Sequence, residues 1–305
     1  MRTLAWVRAV RALLVLASLS GSAAAQVSDA PDVYARKIGS DVHLEWLAVP
    51  NATAYNVYRT AALVQPAQLL GQTAALAYSD VGVVPGPPTN PRQLYYWVKA
   101  TDGVTEGPRS NMAFKLNIDL TKGSNYVSMP YRYAPKGPGI VATSQDLCDE
   151  DTRILRVSAY KFNAQGCLVP ASFSCGAPFG KWDLSAGRGY NVNPSTGITL
   201  NLVGAHDSAF APGGPASVSL APGVCGCNVA LVSVPYHAKA TSAEQLCKEF
   251  ATMGKPLYQI EYRRFVPPTL VGHRCGFAAN DFPLVPGTVS FLWTTTPTQW
   301  QPAVE

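Results

Sequence analysis

The chain has 305 residues, 14% of them charged, with a formal net charge of +5. So few charges leave no basic stripe of the kind nucleic-acid binding needs. Pro and Gly number 25 each, without a long helical period, so short strands joined by turns are expected, in two or three small domains.

Residues 1–25 read as a cleaved export signal. Arg2, Arg8 and Arg11 form a basic start, Ala12–Ser20 is mostly apolar, and Ala23-Ala24-Ala25 places cleavage before Gln26. The apolar run is too short to cross a bilayer, which takes roughly 20 residues. No later segment is long and apolar enough to span one. No cysteine lies near the cut to receive a lipid. The three arginines leave with the signal, so 21 of the 24 basic residues remain against 19 acidic ones. The expected location is the periplasm, the cell surface or the extracellular space.

Residues 29–115 carry no cysteine and predict an antiparallel β domain. Val42, Leu44 and Trp46 alternate on one strand. Ala54–Arg59, Tyr78–Asp80, Leu94–Ala100 and Met112–Leu116 supply further strands, with turns at Pro50-Asn51-Ala52 and Thr101-Asp102-Gly103. Leu44-Glu-Trp46, Ala54-Tyr-Asn-Val-Tyr-Arg59, Tyr96-x-Val98-x-Ala100 and Glu106–Asn111 together resemble a fibronectin type III domain. The resemblance implies a seven-stranded sandwich with Trp46 between the sheets, serving as a spacer or a binding platform. Leu94 departs from the family's corner tyrosine, which stands next door as Tyr95. There is no Arg-Gly-Asp tripeptide. Asn51-Ala-Thr53 fits a glycosylation sequon but reads as a turn.

The remainder is a duplication, residues 116–209 and 210–305. Cys175, Gly176, Leu184 and Gly187 fall on Cys275, Gly276, Leu284 and Gly287, and Trp182 falls on Phe282. Upstream, Val127-Ser-Met-Pro-Tyr131 answers Val232-Ser-Val-Pro-Tyr236, Leu147-Cys148 answers Leu246-Cys247, and Leu120 and Gly123 answer Leu220 and Gly223. Each copy predicts a strand, a short helix, further strands and a Leu-x-x-Gly turn. In the second copy Ser242 and Gln245 form a capping box, Gly254 ends the helix, and Leu246, Phe250 and Met253 make its buried stripe. Ile198–Val203 adds an edge strand to the first copy. The fold class is therefore mainly β: an immunoglobulin-like sandwich followed by two small β-rich domains with one short helix each. Gly123, Asn125, Val127, Ser128, Pro130, Leu184, Gly187, Gly189 and Tyr190 resemble a repeat that follows fibronectin type III domains in exported bacterial proteins. That family implies no catalytic residues.

All seven cysteines lie between 148 and 275. In an exported chain they predict disulfides with one cysteine left over. The matched spacing of 27 and 28 residues predicts Cys148–Cys175 and Cys247–Cys275, each contributing about 3–4 kcal/mol through the loop it closes. Cys167 is expected to pair with Cys225 or Cys227, leaving the other free.

Candidate chemistry is sparse. His206-Asp207-Ser208 has the residue types of a hydrolase triad, but consecutive side chains do not converge as one, so a turn is expected. Cys225-Gly-Cys227 near His237 lacks the second element of a zinc site. Asp146, Asp149, Glu150 and Asp151 lack the turn glycine of a calcium loop and read as a solvated helix end. Arg263, Arg264, Arg274 and His273 read as a solvated basic face. Trp182, Tyr190 and Trp293 are the candidate ligand contacts, able to stack on sugars or grip a protein if exposed. Phe282 and Phe291 complete that aromatic set, and the exchange of Trp182 for Phe282 favours packing. The expected protein is not an enzyme and needs no cofactor. Its partners are a protein or a second copy of itself, with polysaccharide as the alternative.

Overall fold

The computed structural model describes residues 27–63, 65–129, 141–163, 168–185, 187–210, 214–220, 229–265, 268–294 and 296–304. The predicted export signal and the cysteines Cys167, Cys225 and Cys227 lie outside them.

The first unit contains β1 (Val33–Ile38), β2 (Asp41–Trp46), β3 (Ala54–Thr60), β4 (Gln68–Thr73), β5 (Ala77–Asp80), β6 (Gln93–Thr101), β7 (Glu106–Arg109) and β8 (Ala113–Leu120). Strands β1-β2-β5 form one sheet, and β8-β6-β3-β4 run side by side in the other, with β7 pairing β6. Val42, Leu44 and Trp46 are all buried between them, against Val33, Ala35, Val57, Tyr96 and Val98. The Trp46 ring packs on Tyr55 at 5.4 Å. Burial of side chains this size contributes roughly 1.5–3 kcal/mol each. Alternation of period two in a strand with one wet face produces this inward set.

The two repeats follow. The first has β9 (Asn125–Ser128), α1 (Ser144–Asp149), β10 (Ile154–Phe162), β11 (Leu168–Ser174), β12 (Gly189–Pro194) and β13 (Ile198–Ala205). The second has β14 (Val218–Leu220), β15 (Val229–Ser233), α2 (Ala243–Thr252), β16 (Leu257–Phe265), β17 (Pro268–Arg274), β18 (Val289–Thr294) and β19 (Thr298–Trp300). Their four-stranded sheets have the same order, β11-β10-β12-β9 and β17-β16-β18-β15. Both carry a register shift at the start of the central strand, at Ile154/Arg156 and at Leu257/Gln259. The bulged residues Leu155 and Tyr258 point out, 57% and 50% exposed.

Each helix is capped and stapled in the same place. Thr143 and Asp146 make a full capping box on α1. On α2 the Ser242 hydroxyl accepts from the Gln245 amide, while the Gln245 side chain reaches back to Thr241 instead of its cap. Gly254 ends α2 in the left-handed region, with its amide bonded to Ala251 and that of Lys255 to Phe250. Leu246 and Phe250 are buried, but Met253 is the C-cap residue and is 38% exposed, outside the predicted stripe. Disulfides Cys148–Cys175 and Cys247–Cys275, with Cα atoms 5.5 Å apart in each, tie each helix to the end of its hairpin.

One strand behaves differently from expectation. β8 runs across the boundary drawn at 115/116. β13, expected as an edge strand of the first repeat's sheet, pairs with β8 over eight residues and extends the sandwich sheet. Its first half, Ile198, Leu200 and Leu202, belongs to the core of the repeat, and its second half, Val203 and Ala205, to the core of the sandwich. The two sets lie on opposite faces of the strand, so a ribbon with one face in each core welds the two units. In the second repeat the matching pair is only β14–β19, in the equivalent register: Leu220 faces Thr298 as Leu120 faces Ile198.

Candidate functional site: a cleft between the two repeats

The residues that recur in both copies meet each other. The Ser128 amide donates to the Gly287 carbonyl at 3.0 Å, and the Ser233 amide donates to the Gly187 carbonyl at 3.0 Å. Ser128 and Ser233 are the shared serines of the Val-Ser-x-Pro-Tyr segments, and Gly187 and Gly287 end the shared Leu-x-x-Gly turns. The exchange is reciprocal, as across a local two-fold axis. Both glycines have positive φ, 71° and 87°. Other residues reach that region only at a cost, so the turn that aims the carbonyl depends on glycine.

Near the axis, Gly189 lies against Val289. A Cβ on Gly189 would stand 2.3 Å from a Val289 methyl. Tyr126 meets Phe291 edge-on at 5.0 Å. Tyr236 of the second copy donates its hydroxyl to the Ser128 carbonyl at 2.7 Å, accepts at its own carbonyl from Tyr95 of the sandwich, and packs on Phe114. Tyr236→Phe leaves the Ser128 carbonyl buried without that donor. The expected loss is about 1–2 kcal/mol, read as a lower urea midpoint at unchanged slope.

Beside this axis opens a cleft of about 300 Å³. Copy one contributes Tyr160, Trp182, Asp183, Ser185, Arg188 and Tyr190, and copy two contributes the open edge of β15 at Val229–Leu231. Trp182 and Tyr190 stack, with centroids 5.5 Å apart and planes at 22°. Backbone bonds fix both. The Trp182 amide donates to the Ser144 hydroxyl at 3.1 Å, and its carbonyl accepts from the Ser144 amide at 2.9 Å, so the α1 cap holds it. The Tyr190 hydroxyl accepts from the Ser185 amide and donates to the Ser185 carbonyl. Burial pushes the Tyr190 phenol above its ordinary pKa, so it stays protonated. Arg188 donates to the Ser219 carbonyl at 3.0 Å, which orients its guanidinium at the cleft wall.

Two of the predicted aromatics therefore converge, and the third does not; of the two, Trp182 is half-buried, while Tyr190 is 2% exposed and belongs to the core of the first repeat. Trp293 sits half-buried on β18, across from Val229 and Gln259, and is not part of the cleft wall. Strand alternation puts it on the Phe291 face, displaced along the strand from the axis. Phe282 is buried against Tyr262 at 4.6 Å, a packing role. Asp183, Arg188 and Tyr160 were not singled out from sequence. Only the polarity of Asp183 and Arg188 within an otherwise shared turn, where copy two has Pro283 and Thr288, marked them.

The other candidates resolve into structure. Each carboxylate of the acidic run has its own protein partner: Asp146 the helix cap, Asp149 the Gln145 amide, Glu150 the Lys37 ammonium, Asp151 the Arg153 guanidinium. His273, predicted on a solvated face, is fully buried, with Nε2 2.9 Å from Glu244 and Nδ1 3.2 Å from the Ala279 carbonyl. Arg274 lies over the rings of Tyr258 and Phe277. Glu244, Cys247 and His273 are the one group of metal-ligating types that converges among the described residues. The Cys247 sulfur is already bonded to Cys275 and the His273 ring to Glu244, so its donors serve one another. His206-Asp207-Ser208 leads into a single 3-10 turn, Ser208–Phe210, with Asp207 accepting from the Ala209 amide.

No protein-family model and no curated protein matches the chain. Among solved structures it is similar to an Fn3-like protein from Clostridium thermocellum, at 26% identity and a TM-score of 0.23, over 28% of this chain and 90% of that one. It is also similar to the pectate lyase Pel3 of Pectobacterium carotovorum, at 18% identity and a TM-score of 0.23, over 28% of this chain and 26% of that one. The chicken CNTN1 FN1-FN3 domains align at 12% identity and a TM-score of 0.26, over 58% of this chain and 68% of theirs.

Proposed function

We propose that the chain is a non-catalytic interaction protein, exported to an oxidising compartment, that holds its partner in the cleft between its two repeats. The observation that carries this reading is the Trp182–Tyr190 stack, fixed by backbone bonds at the cleft wall beside Asp183 and Arg188. Rigid aromatic contact area with a few placed polar groups is the chemistry of binding. The two disulfides fit an oxidising compartment, and no helix among the described residues is long and apolar enough to cross a membrane. The sandwich, welded to the first repeat through β8 and β13, serves as the spacer that presents the cleft.

The test compares wild type with Trp182→Ala for binding to fractionated cell-envelope and secreted proteins and polysaccharides. Saturable binding that needs Trp182, with the bound material recovered at unchanged mass, is expected. Turnover of the bound material, or equal binding by both forms, contradicts the reading.

A further inference from the structure

We infer that the cleft receives pyranose units of a neutral polysaccharide. This rests on the reading of the cleft as the contact surface and names what it contacts.

A pyranose ring has an apolar C–H face and a rim of hydroxyls that both donate and accept. The cleft matches both demands. Trp182, half-buried at the cleft wall, supplies the aromatic face, backed by the buried Tyr190 ring stacked against it. Around it stand an acceptor, the Asp183 carboxylate, a donor, the Arg188 guanidinium, and two groups that do either, the hydroxyls of Ser185 and Tyr160. One carboxylate beside one guanidinium leaves no net charge to select an ionic ligand. The size argues in the same direction. About 300 Å³ lies at the small end of ligand pockets, the scale of a small unit and not of a large ligand. The site is also ordered before the ligand arrives: the Ser185 bonds hold the Tyr190 ring, the Ser144 bonds hold the Trp182 main chain, and the indole stacks on Tyr190. Little side-chain freedom remains to be lost on binding.

The repeats differ here, and the difference has a consequence. Where copy one has Trp182, Asp183, Ser185, Arg188 and Tyr190, copy two has Phe282, Pro283, Val285, Thr288 and Ser290. Phe282 is buried, and neither the carboxylate nor the guanidinium has a counterpart. Duplication thus leaves one sugar site per chain, and calorimetry should give a stoichiometry of one.

The experiment titrates the purified full chain with neutral hexasaccharides (cello-, xylo-, laminari-, manno- and chitohexaose) by calorimetry. At least one is expected to bind with one site per chain. Trp182→Ala should weaken it about tenfold or more through loss of the ring, and Asp183→Ala severalfold. Because Asp183 is exposed, its variant should melt as wild type does, and it decides the matter if Trp182→Ala fails to fold. Absence of binding by all five sugars at millimolar concentration overturns the inference, as does sugar binding indifferent to both substitutions. If the sugars fail while Trp182-dependent capture of a protein persists, the sugar assignment falls and the interaction reading stands. If no ligand of any kind depends on Trp182, both fall.

Discussion

Gly189→Val is expected to destabilise the chain by about 3–4 kcal/mol, at the upper end of what overpacking causes. The position is the counterpart of Val289, so the substitution installs in copy one the residue that copy two already carries. Two valines then claim the same space: even a Cβ at 189 would lie 2.3 Å and 2.5 Å from the two Val289 methyls. Neither backbone can yield easily, because the Ser128–Gly287 and Ser233–Gly187 bonds hold the strands on either side. The reciprocal change, Val289→Gly, removes a buried side chain and costs about 2–3 kcal/mol by itself. Combined, the two should restore each other, because one valine again faces one glycine across the axis. Urea unfolding of all four proteins reads this as a coupling of about 2 kcal/mol or more. Additive losses would mean that the two residues do not share the axis.

Stability should fall steeply as pH drops from 6.5 towards 4. His206, at the end of β13, and His237, in the second repeat, are 3% and 2% exposed and meet edge-on at 4.7 Å. Burial pushes His206 down to about 4 against a small opposing pull from Asp207, and burial, His206 and Arg109 hold His237 well below its ordinary range. Both rings are therefore neutral in the fold at pH 5, while the unfolded chain would protonate them near 6.5. The unfolded state then binds more protons, so acid favours it. The loss is absent above pH 6.5 and grows by about 1.4 kcal/mol per pH unit for each histidine until its folded-state value is reached. Over the range to pH 4, His206 accounts for roughly 3 kcal/mol, and His237 adds to it. Urea melts at pH 7, 5.5 and 4.5 measure the slope. His237→Leu removes one of the two titrations, and because Nδ1 of His237 has no hydrogen-bond partner, it strands no partner of that nitrogen. A slope unchanged in that variant would show that carboxylates elsewhere govern the acid response.

These two histidines also show where sequence reasoning stops. His206-Asp207-Ser208 was legible as a turn, because consecutive polar residues after a β pattern mark one. That the His206 ring sits in a core was not, since its neighbour His237 lies thirty-one residues away and no local period connects them. The sandwich was readable at Val42, Leu44 and Trp46, where one face is dry and the other wet. β4 was not: Gln68–Thr73 is an edge strand with no strict alternation, exposed or half-buried throughout. β1 was hidden by Arg36 and Lys37, which break an otherwise inward Val33 and Ala35. In the repeats, recurrence at a spacing near one hundred residues marked the serines, glycines and cysteines, and the structure places the first two at the junction and the last beneath the helices. Their reciprocal pairing was not readable, because a repeat states what is shared and not what touches. The cleft lay in the unshared residues, Asp183, Arg188 and Tyr190 against Pro283, Thr288 and Ser290. The edge of β15 joined them only through folding.

Amide hydrogen exchange at Ser128 and Ser233 tests the pairing of the repeats most directly. Each N–H closes one half of the reciprocal exchange, and each belongs to the edge strand of its own sheet. If the repeats form one body around that axis, both amides exchange slowly and with similar opening free energies, as core strands do. If either exchanges as fast as an open sheet edge, the repeats are not joined there, and the cleft between them has no fixed shape.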